Sequence, residues 1–525
     1  MTNHLDLWGM FKRVLLENKN KDAVIFNNQT LSYGDLYYAS NRFANALYNH
    51  DVKENTRVAL VMSNCKEYVI AFLAIMQTGA TLVPLNDRLG QKEINHIIES
   101  SGAELAIVDE GFIEIIEKTK RIAPSLKTIV AITEKNNDPQ NFINWEAFQG
   151  NMPDTEIHRT PSVNEIGLIL YTGGTTGLPK GVVHPRSNLI SNYLSHIIEL
   201  ELEETDKILL TSPLPHSAGF ILAAGLLKGA THYIEKKFDP QVVLERMDKD
   251  QITTTFMVPT MIYRVMDYFM DCKEAFNINS LRTIVYGAAP ITEERLKTGL
   301  ELFGPVFMQL YGQSEAPNFI TKLKKSDHIF SGNHKENKRL RSCGQPVLMS
   351  EVKIVDDNGI EVPRGKPGEI IAKTPYNMTG YYQNPEQSNK TLKDGWLYTG
   401  DLAYMDENDY IYLLDRKKDI VITGGLNVYT TEVENAIQNH PGVSQVAVIG
   451  LPHSDWGEAI TAFIVRKNES VSAESILEHC RNELSSYKRP KKIEFIDSIP
   501  LTPYGKIDKK ALRKPYWELM GRNIN

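Results

Sequence analysis

Cysteine is scarce in this chain of 525 residues: Cys65, Cys272, Cys343 and Cys480 are scattered, and no Cys-x-x-Cys pair occurs. That pattern disfavours a structural zinc site or a disulfide framework and suits a reducing cytosol, so a cytoplasmic location is expected. Long apolar runs are missing as well. The longest, Ala218 to Leu227, ends at Lys228 and is too short to span a bilayer, so no transmembrane segment is expected. The first residues carry Asp6, Lys12, Arg13 and Glu17 without an apolar core, unlike a secretory signal. The last four, Arg522-Asn523-Ile524-Asn525, are not a peroxisomal address. Positive charge is not in excess: the net charge is -7, which argues against a nucleic-acid partner and requires any basic site to be local. With 42% hydrophobic and 23% charged residues the composition is that of a soluble globular protein. The length implies more than one domain.

What is present begins with one stretch, Leu170-Tyr171-Thr172-Gly173-Gly174-Thr175-Thr176-Gly177-Leu178-Pro179-Lys180-Gly181. The apolar run Ile166 to Tyr171 reads as a buried strand that breaks into a loop of Gly and Thr, then Lys180. Glycine lets backbone approach an oxyanion, and consecutive N–H groups in such a turn form an anion-binding nest. The Thr hydroxyls add donors and Lys180 adds positive charge. These are parts of a triphosphate cradle. It is not a Walker A loop, because Pro179 precedes the Lys and Gly181 follows it. The stretch instead resembles the phosphate loop of the adenylate-forming superfamily (acyl-CoA synthetases, peptide-synthetase adenylation domains, luciferases), with Gly173 where Ser is usual.

Strand-like and helical runs alternate from Arg57 to Ile132 and again from Lys207 to Leu310, which predicts mostly parallel sheets with helices on their faces. From about 340 to 415 short strands lie between Gly, Pro and Asn turns, as in a small barrel. A compact α+β pattern follows the charged cluster Asp415–Asp419. The expected fold is α/β: a large N-terminal domain (1–415) of two doubly wound βα layers plus a small β-barrel, a hinge (416–419) and a small, mobile α+β C-terminal lid domain (420–525). Ligands in such sheets sit beyond the carboxyl ends of strands, where the remaining motifs fall.

Those motifs extend the resemblance over residues 25 to 515. Thr172 to Gly177 and Lys180 match the loop that holds the ATP phosphates. Tyr286-Gly287-Ala288-Ala289-Pro290 follows a strand, and its small residues leave room for a flat base; the family binds adenine there. Tyr311-Gly312-Gln313-Ser314-Glu315 matches Tyr-Gly-x-Thr-Glu, with Ser314 for Thr. A carboxylate among phosphates is repulsive without a cation, so Glu315 implies Mg²⁺, with Thr175 as a second ligand. Asp401 resembles the ribose-diol acceptor, Arg416 its partner and Lys418 the hinge residue. Gly505-Lys506 resembles the loop that carries the catalytic lysine, with Tyr504 where Ser is common. As a surface group Lys506 is inert; its place in the ordered set gives it the catalytic role with Lys180, Glu315 and His216.

In the family's CoA ligases a His equivalent to His216 gates the acyl pocket. By analogy Ser217, Ala218, Phe256, Leu310, Gly312, Pro317 and Asn318 line it. They are mainly small or apolar, so an apolar acid is expected. No acidic residue lies between Pro213 and Leu227 to pair with a substrate ammonium, which argues against an α-amino acid. Arg88, Trp456, Tyr487, Arg489 and Lys491 match the 4-chlorobenzoate CoA ligase branch's grip on the CoA nucleotide, and Gly424-Gly425 its pantetheine tunnel. Arg and Lys suit phosphate, and Trp or Tyr suits adenine stacking. The resemblance implies an ATP-dependent acid–CoA ligase acting on a fatty or aryl acid with ATP, Mg²⁺ and coenzyme A. The alternatives are a stand-alone adenylation enzyme loading a carrier protein, a luciferase-like oxygenase, for whose O₂ and luciferin nothing in the sequence asks, and a non-catalytic nucleotide-binding regulator, against which Glu315 and Lys506 argue.

Overall fold

The structure is a computed structural model that describes residues 6–518, except 136–140, 160, 161, 163, 173–177, 273–275, 290, 331–336 and 503–506. The chain divides into two compact units. The first holds Met1–Thr172, Pro179–Val352 and Ala372–Leu397; the second holds chiefly Lys353–Ile371 and Tyr398–Asn525. Among the described residues no helix is long and apolar enough to cross a membrane.

Two mixed sheets form the first unit. In one, the parallel strands Phe307–Gln313, Thr283–Tyr286, Thr254–Met257, Lys207–Leu210, Thr231–Ile234 and Asp22–Phe26 lie side by side in that order. In the other, Ile166–Thr172 leads into Thr81–Leu85, Arg57–Val61, Leu105–Asp109 and Thr128–Ile132, again parallel. All five residues of Thr81–Leu85 are buried, as a strand covered on both faces requires. Every residue of helix Lys66–Thr78 from Tyr68 onward is buried too, so this helix is apolar all round. One continuous core takes in that helix, Gly219–Lys228 and strand residues from both sheets. The doubly wound α/β fold expected from the alternating pattern is therefore present.

Local chemistry fixes the element ends. Asp239 accepts from Gln241 N and Val242 N, and Pro240 opens the helix Pro240–Lys249. The long-range edges follow no local pattern. The hairpin Asp22–Phe26 and Gln29–Ser32 joins the sheet of Thr231–Ile234, and the two-residue strand Gly380–Tyr381 pairs with Lys180–Pro185.

In the second unit Val443–His453 and Gly457–Arg466 form a long antiparallel pair flanked by Val421–Thr423, Leu426–Val428 and Lys492–Phe495. Side chains alternate across this sheet. Val446, Val448, Ile460 and Ala462 pack with Val433 and Ile476, whereas Ala447, Ile449 and Phe463 pack with Leu512. The helices behind these contacts are Thr430–Gln438, Ala473–Glu483 and Lys509–Glu518.

Candidate active site

Strand order sets the site in the first unit. Lys207–Leu210, Thr254–Met257, Thr283–Tyr286 and Phe307–Gln313 are parallel neighbours, so their carboxyl ends share one edge. That edge carries His216 to Ala218, Phe256, Gly287 to Ala289 and Tyr311 to Glu315. Gly287 is pressed against the next strand: a Cβ there would lie 2.7 Å from Leu310 O. Ala288, at φ +67, and Ala289 are exposed beyond it. A Cβ on Gly312 would lie 2.6 Å from the Asn318 carbonyl carbon. Asn318 Nδ2 in turn donates to Ser217 O at 3.2 Å. Gly312, Asn318, Ser217 and, through Gly287, Leu310 thus adjoin, with Pro317 and Ala218 buried next to them in sequence. His216 breaks the helical geometry of Leu214–Ala218 and lines a small apolar cavity with Tyr68, Phe72, Tyr193 and Phe220.

The strands on either side of residues 173–177 reach the same site. Ile166–Thr172 pairs antiparallel with Lys180–Pro185, placing Thr172 opposite Lys180; Gly173 to Gly177 lie outside the described residues. Glu315 sits in the two-residue turn between Phe307–Gln313 and Ala316–Leu323. Three contacts hold that turn. His184 Nε2 donates to Ser314 O at 2.8 Å, and burial holds this imidazole neutral with its pKa lowered to about 4. Met378 N donates to Glu315 O at 2.7 Å. The Tyr381 hydroxyl donates to Glu315 Oε1 at 2.7 Å. The same tyrosine ring lies 5.4 Å from Lys180 Nζ, within cation–π range. Lys180 and Glu315 are thereby brought onto one side chain. Glu315 Oε2 accepts no hydrogen bond among the described residues.

In the second unit Asp401 and Arg416 are direct partners on paired strands, with Arg416 Nε 2.6 Å from Asp401 Oδ1. The charged cluster around Lys418 is exposed at Lys417 and Lys418, yet the neighbours of Lys418 are paired. Lys417 pairs with Asp357 at 2.7 Å, and Asp419 pairs with Arg513 at 3.0 Å. Asp415 accepts from Thr430 N and Oγ1, and the Thr430 hydroxyl accepts from Lys509 Nζ at 2.6 Å. Gly424 and Gly425 form the turn of the hairpin Val421–Thr423 to Leu426–Val428, at φ +57 and +79. Among the described residues nothing lies within 4 Å of a Cβ built on either, so there the turn alone calls for glycine. Gly424 N donates to Trp456 O at 2.9 Å. The Trp456 ring is 40% exposed, stacks on His453 at 4.2 Å and carries Lys491 Nζ 5.2 Å above it.

Gly424, Trp456 and Lys491 are therefore neighbours, whereas Arg489 is turned to other work: its Nε and Nη2 donate to Leu484 O and Arg481 O at the end of helix Ala473–Glu483. Tyr487 is half-exposed beneath Lys488. Arg88 is exposed on a loop of the first unit. Lys506 and Thr175 lie outside the described residues.

Residues 11–382 match the AMP-binding enzyme family. The chain belongs to it. Residues 432–506 match the AMP-binding enzyme C-terminal domain. This AMP-binding enzyme is 33% identical to the medium/long-chain-fatty-acid–CoA ligase FadD8 of Mycobacterium tuberculosis, over 99% of this chain and 90% of that protein. It is also 33% identical to the fatty acid–[acyl-carrier-protein] ligase ScoC of Streptomyces coeruleorubidus, over 96% and 95%. The crystal structure of the anthranilate CoA ligase AuaEII in complex with anthranoyl-AMP superposes with a TM-score of 0.88 at 26% identity, covering 99% of each chain. These matches put the enzyme in the acid–CoA ligase branch of the adenylate-forming superfamily, the superfamily that its Gly/Thr loop and Tyr-Gly-x-Ser-Glu turn resemble.

Two residues of this AMP-binding enzyme's site escape the sequence reading. Tyr381 comes from a strand of two residues, too short to leave a periodic signal. His184 reads as one more residue of a buried strand. The only local cue is the polar ring amid the apolar run Val182-Val183.

Proposed function

We propose that this enzyme activates an apolar carboxylic acid, fatty or aryl, as acyl-AMP with release of pyrophosphate, then passes the acyl group to the thiol of coenzyme A. The observation that carries the reading is the convergence of Lys180 and Glu315 on Tyr381, beside a pocket wall of small and apolar residues. Activation brings two anions together, the carboxylate and the α-phosphate. Lys180 and the loop Gly173–Gly177 receive the leaving phosphates, and Lys506 bridges the reacting groups where charge develops. Asp401, held by Arg416, accepts the ribose diol. The turn Gly287 to Ala289, exposed at Ala288 and Ala289, receives the adenine.

Glu315 suits Mg²⁺: it is a hard oxygen donor, oriented through Oε1, with Oε2 not engaged by the described residues. When bound, the ion neutralises phosphate charge, and Thr175 is assigned as its second protein ligand. His216, which lines the apolar cavity and precedes Ser217, is assigned as the gate of the acyl group. For thioester formation, Trp456, Lys491 and Tyr487 offer stacking and charge to the CoA nucleotide, with Arg88 and Arg489 assigned to its phosphates. Lys418 is the hinge between domains 1–415 and 420–525, and the cytoplasm is the expected compartment.

Relatives support both acid types: FadD8 is named for fatty acids and AuaEII for anthranilate. One relative favours a second reading. ScoC, as similar in identity as FadD8, is named for an acyl-carrier-protein acceptor, so loading of a carrier protein is the alternative. The test is AMP release with ATP and Mg²⁺ across acids from acetate through C8 and C16 fatty acids to benzoate and coumarate, each with and without CoA. Acid- and CoA-dependent AMP is expected. Acid-dependent pyrophosphate exchange without CoA consumption selects the carrier-loading alternative, and no acid-dependent exchange refutes both.

A further inference from the structure

Behind the proposed acyl pocket runs a helix, Arg186–Glu199, that the functional reading leaves unused. Its Asn192 and His196 are buried. Asn192 Nδ2 donates to Pro317 O at 2.9 Å, fixing the residue before Asn318. His196 Nδ1 lies 2.8 Å from Asn192 O. A carbonyl oxygen only accepts, so Nδ1 carries the proton. Burial keeps the ring neutral, lowering its pKa to about 4, which leaves Nε2 as an acceptor. That Nε2 is 2.9 Å from Asn318 Nδ2, so the amide nitrogen faces the imidazole. The second N–H of the same nitrogen donates to Ser217 O at 3.2 Å. The ring itself is clamped, stacked on Phe220 at 6.0 Å and edge-on to Phe319 at 4.9 Å.

The orientation of the Asn318 carboxamide therefore follows from donor and acceptor chemistry. Both N–H groups are engaged, and only Oδ1 remains. Oδ1 accepts no hydrogen bond among the described residues, although Asn318 is only 6% exposed. Its backbone sits at φ +66, where asparagine is tolerated better than an apolar residue, against the face of Gly312 that lacks a Cβ. An amide oxygen held in this orientation without a described protein partner is open to a donor from whatever fills the pocket.

We propose that Asn318 is a specificity-determining residue: its Oδ1 accepts a hydrogen bond from an O–H or N–H on the acyl group, and His196 and Asn192 are the positioning residues that turn it to do so. The substrate class narrows to an otherwise apolar carboxylic acid that carries a hydroxyl or amino group. This rests on the acid-activating function proposed above.

The experiment measures kcat/KM for acid-dependent AMP release with matched acids: benzoate against its hydroxy, amino and methoxy derivatives, and octanoate against its hydroxy derivatives. At least one donor-bearing acid is expected to exceed both its parent and its methyl ether by about tenfold or more, because a site built to bond a hydroxyl rejects the analogue without it. Asn318→Leu should bring that ratio close to one. His196→Leu should reduce it, and His196→Gln, which restores an acceptor, should recover part of it. Wild-type enzyme that turns over all members of each series within about threefold overturns the proposal without reference to any variant. So does an Asn318→Leu enzyme that retains the preference. If no acid releases AMP, the acid-activating reading itself fails and the inference falls with it.

Discussion

The Tyr381 hydroxyl donates to Glu315 Oε1 at 2.7 Å, and this bond ties a strand of two residues to the turn that carries the proposed metal ligand. A hydrogen bond to a carboxylate is worth about 1.5–3 kcal/mol. Tyr381→Phe keeps the ring under Lys180 and removes only the hydroxyl. The variant is expected to need more Mg²⁺ and to lose about tenfold or more in kcat/KM for ATP in pyrophosphate exchange. An unchanged Mg²⁺ dependence would rule out Tyr381 as the group that orients Glu315.

The glycine turn makes a prediction that separates two reasons for the same residue. Gly424 and Gly425 stand at φ +57 and +79, with none of the described residues within 4 Å of a Cβ built on either. Alanine at such a position is strained by about 1–2 kcal/mol, and asparagine by less. Gly424→Asn and Gly425→Asn should therefore unfold in urea close to the wild-type midpoint, whereas the alanine variants unfold earlier. If the turn is the whole reason for glycine, the asparagine variants also form thioester normally. Loss of thioester formation with adenylation intact would show that the pantetheine arm needs the bare backbone.

Much of the architecture was legible before the coordinates, and the parts that were not share a cause. Thr81–Leu85 and Thr283–Tyr286 are apolar runs bounded by turns, and both appear as strands with those limits. The two long strands of the second unit were legible in the same way, although Val443–His453 and Gly457–Arg466 extend beyond the apolar segments Gln445–Gly450 and Ala459–Val465, and their antiparallel pairing was not. Gly380–Tyr381 and the pairing of Asp22–Phe26 with Thr231–Ile234 were not legible, because partners far apart in sequence are chosen by packing and not by local pattern. The same holds for the site. Asp401 and Arg416 were read from motifs and are direct partners, while Tyr381, His184 and the His196–Asn318 pair exist only once the sheets are stacked.

Acid should destabilise the first unit in a defined window. His184, His196, His232 and His328 are buried and neutral, each with its pKa lowered by burial to about 4. Unfolded histidine titrates near 6.5, so between about 6.5 and 4 the unfolded chain binds more protons than the folded one. Stability therefore falls as pH drops through that window, by up to about 3 kcal/mol per histidine. Two such groups approach the 5–15 kcal/mol that holds a typical domain, so unfolding is expected before pH 4. Urea midpoints measured from pH 7.5 to 4.5 check this. A flat profile across that range would show that these imidazoles are not held neutral.

In the second unit Lys509 Nζ lies 2.8 Å from Glu434 Oε1 and also donates to the Thr430 hydroxyl, which in turn donates to Asp415. Burial raises the pKa of both carboxyl groups, and Lys509 is the cation that offsets it. Lys509→Met leaves two buried carboxylates without their counter-charge and should cost about 3 kcal/mol or more. Adding Glu434→Gln to that variant removes one of the stranded charges and should recover part of the loss. If the double variant is no more stable than the single one in chemical denaturation, the lysine acts through packing and not through charge.

The last prediction concerns how the two half-reactions divide. In the proposed mechanism Lys506 stabilises charge that develops only while the carboxylate and α-phosphate join, and thiolysis of a formed acyl-AMP does not use it. Losing one such donor typically costs about 3 kcal/mol, or roughly 10²–10³ in rate. Lys506→Ala should thus lose most acid-dependent pyrophosphate exchange and still convert supplied acyl-AMP to thioester. Lys491→Ala should do the reverse, because its ammonium sits over the Trp456 ring at 5.2 Å, where the CoA nucleotide is assigned. Its expected signature is a raised KM for CoA with pyrophosphate exchange close to wild type. The pair is decisive together: if both variants lose both half-reactions equally, the two lysines serve one common step and the assignment of separate roles is wrong.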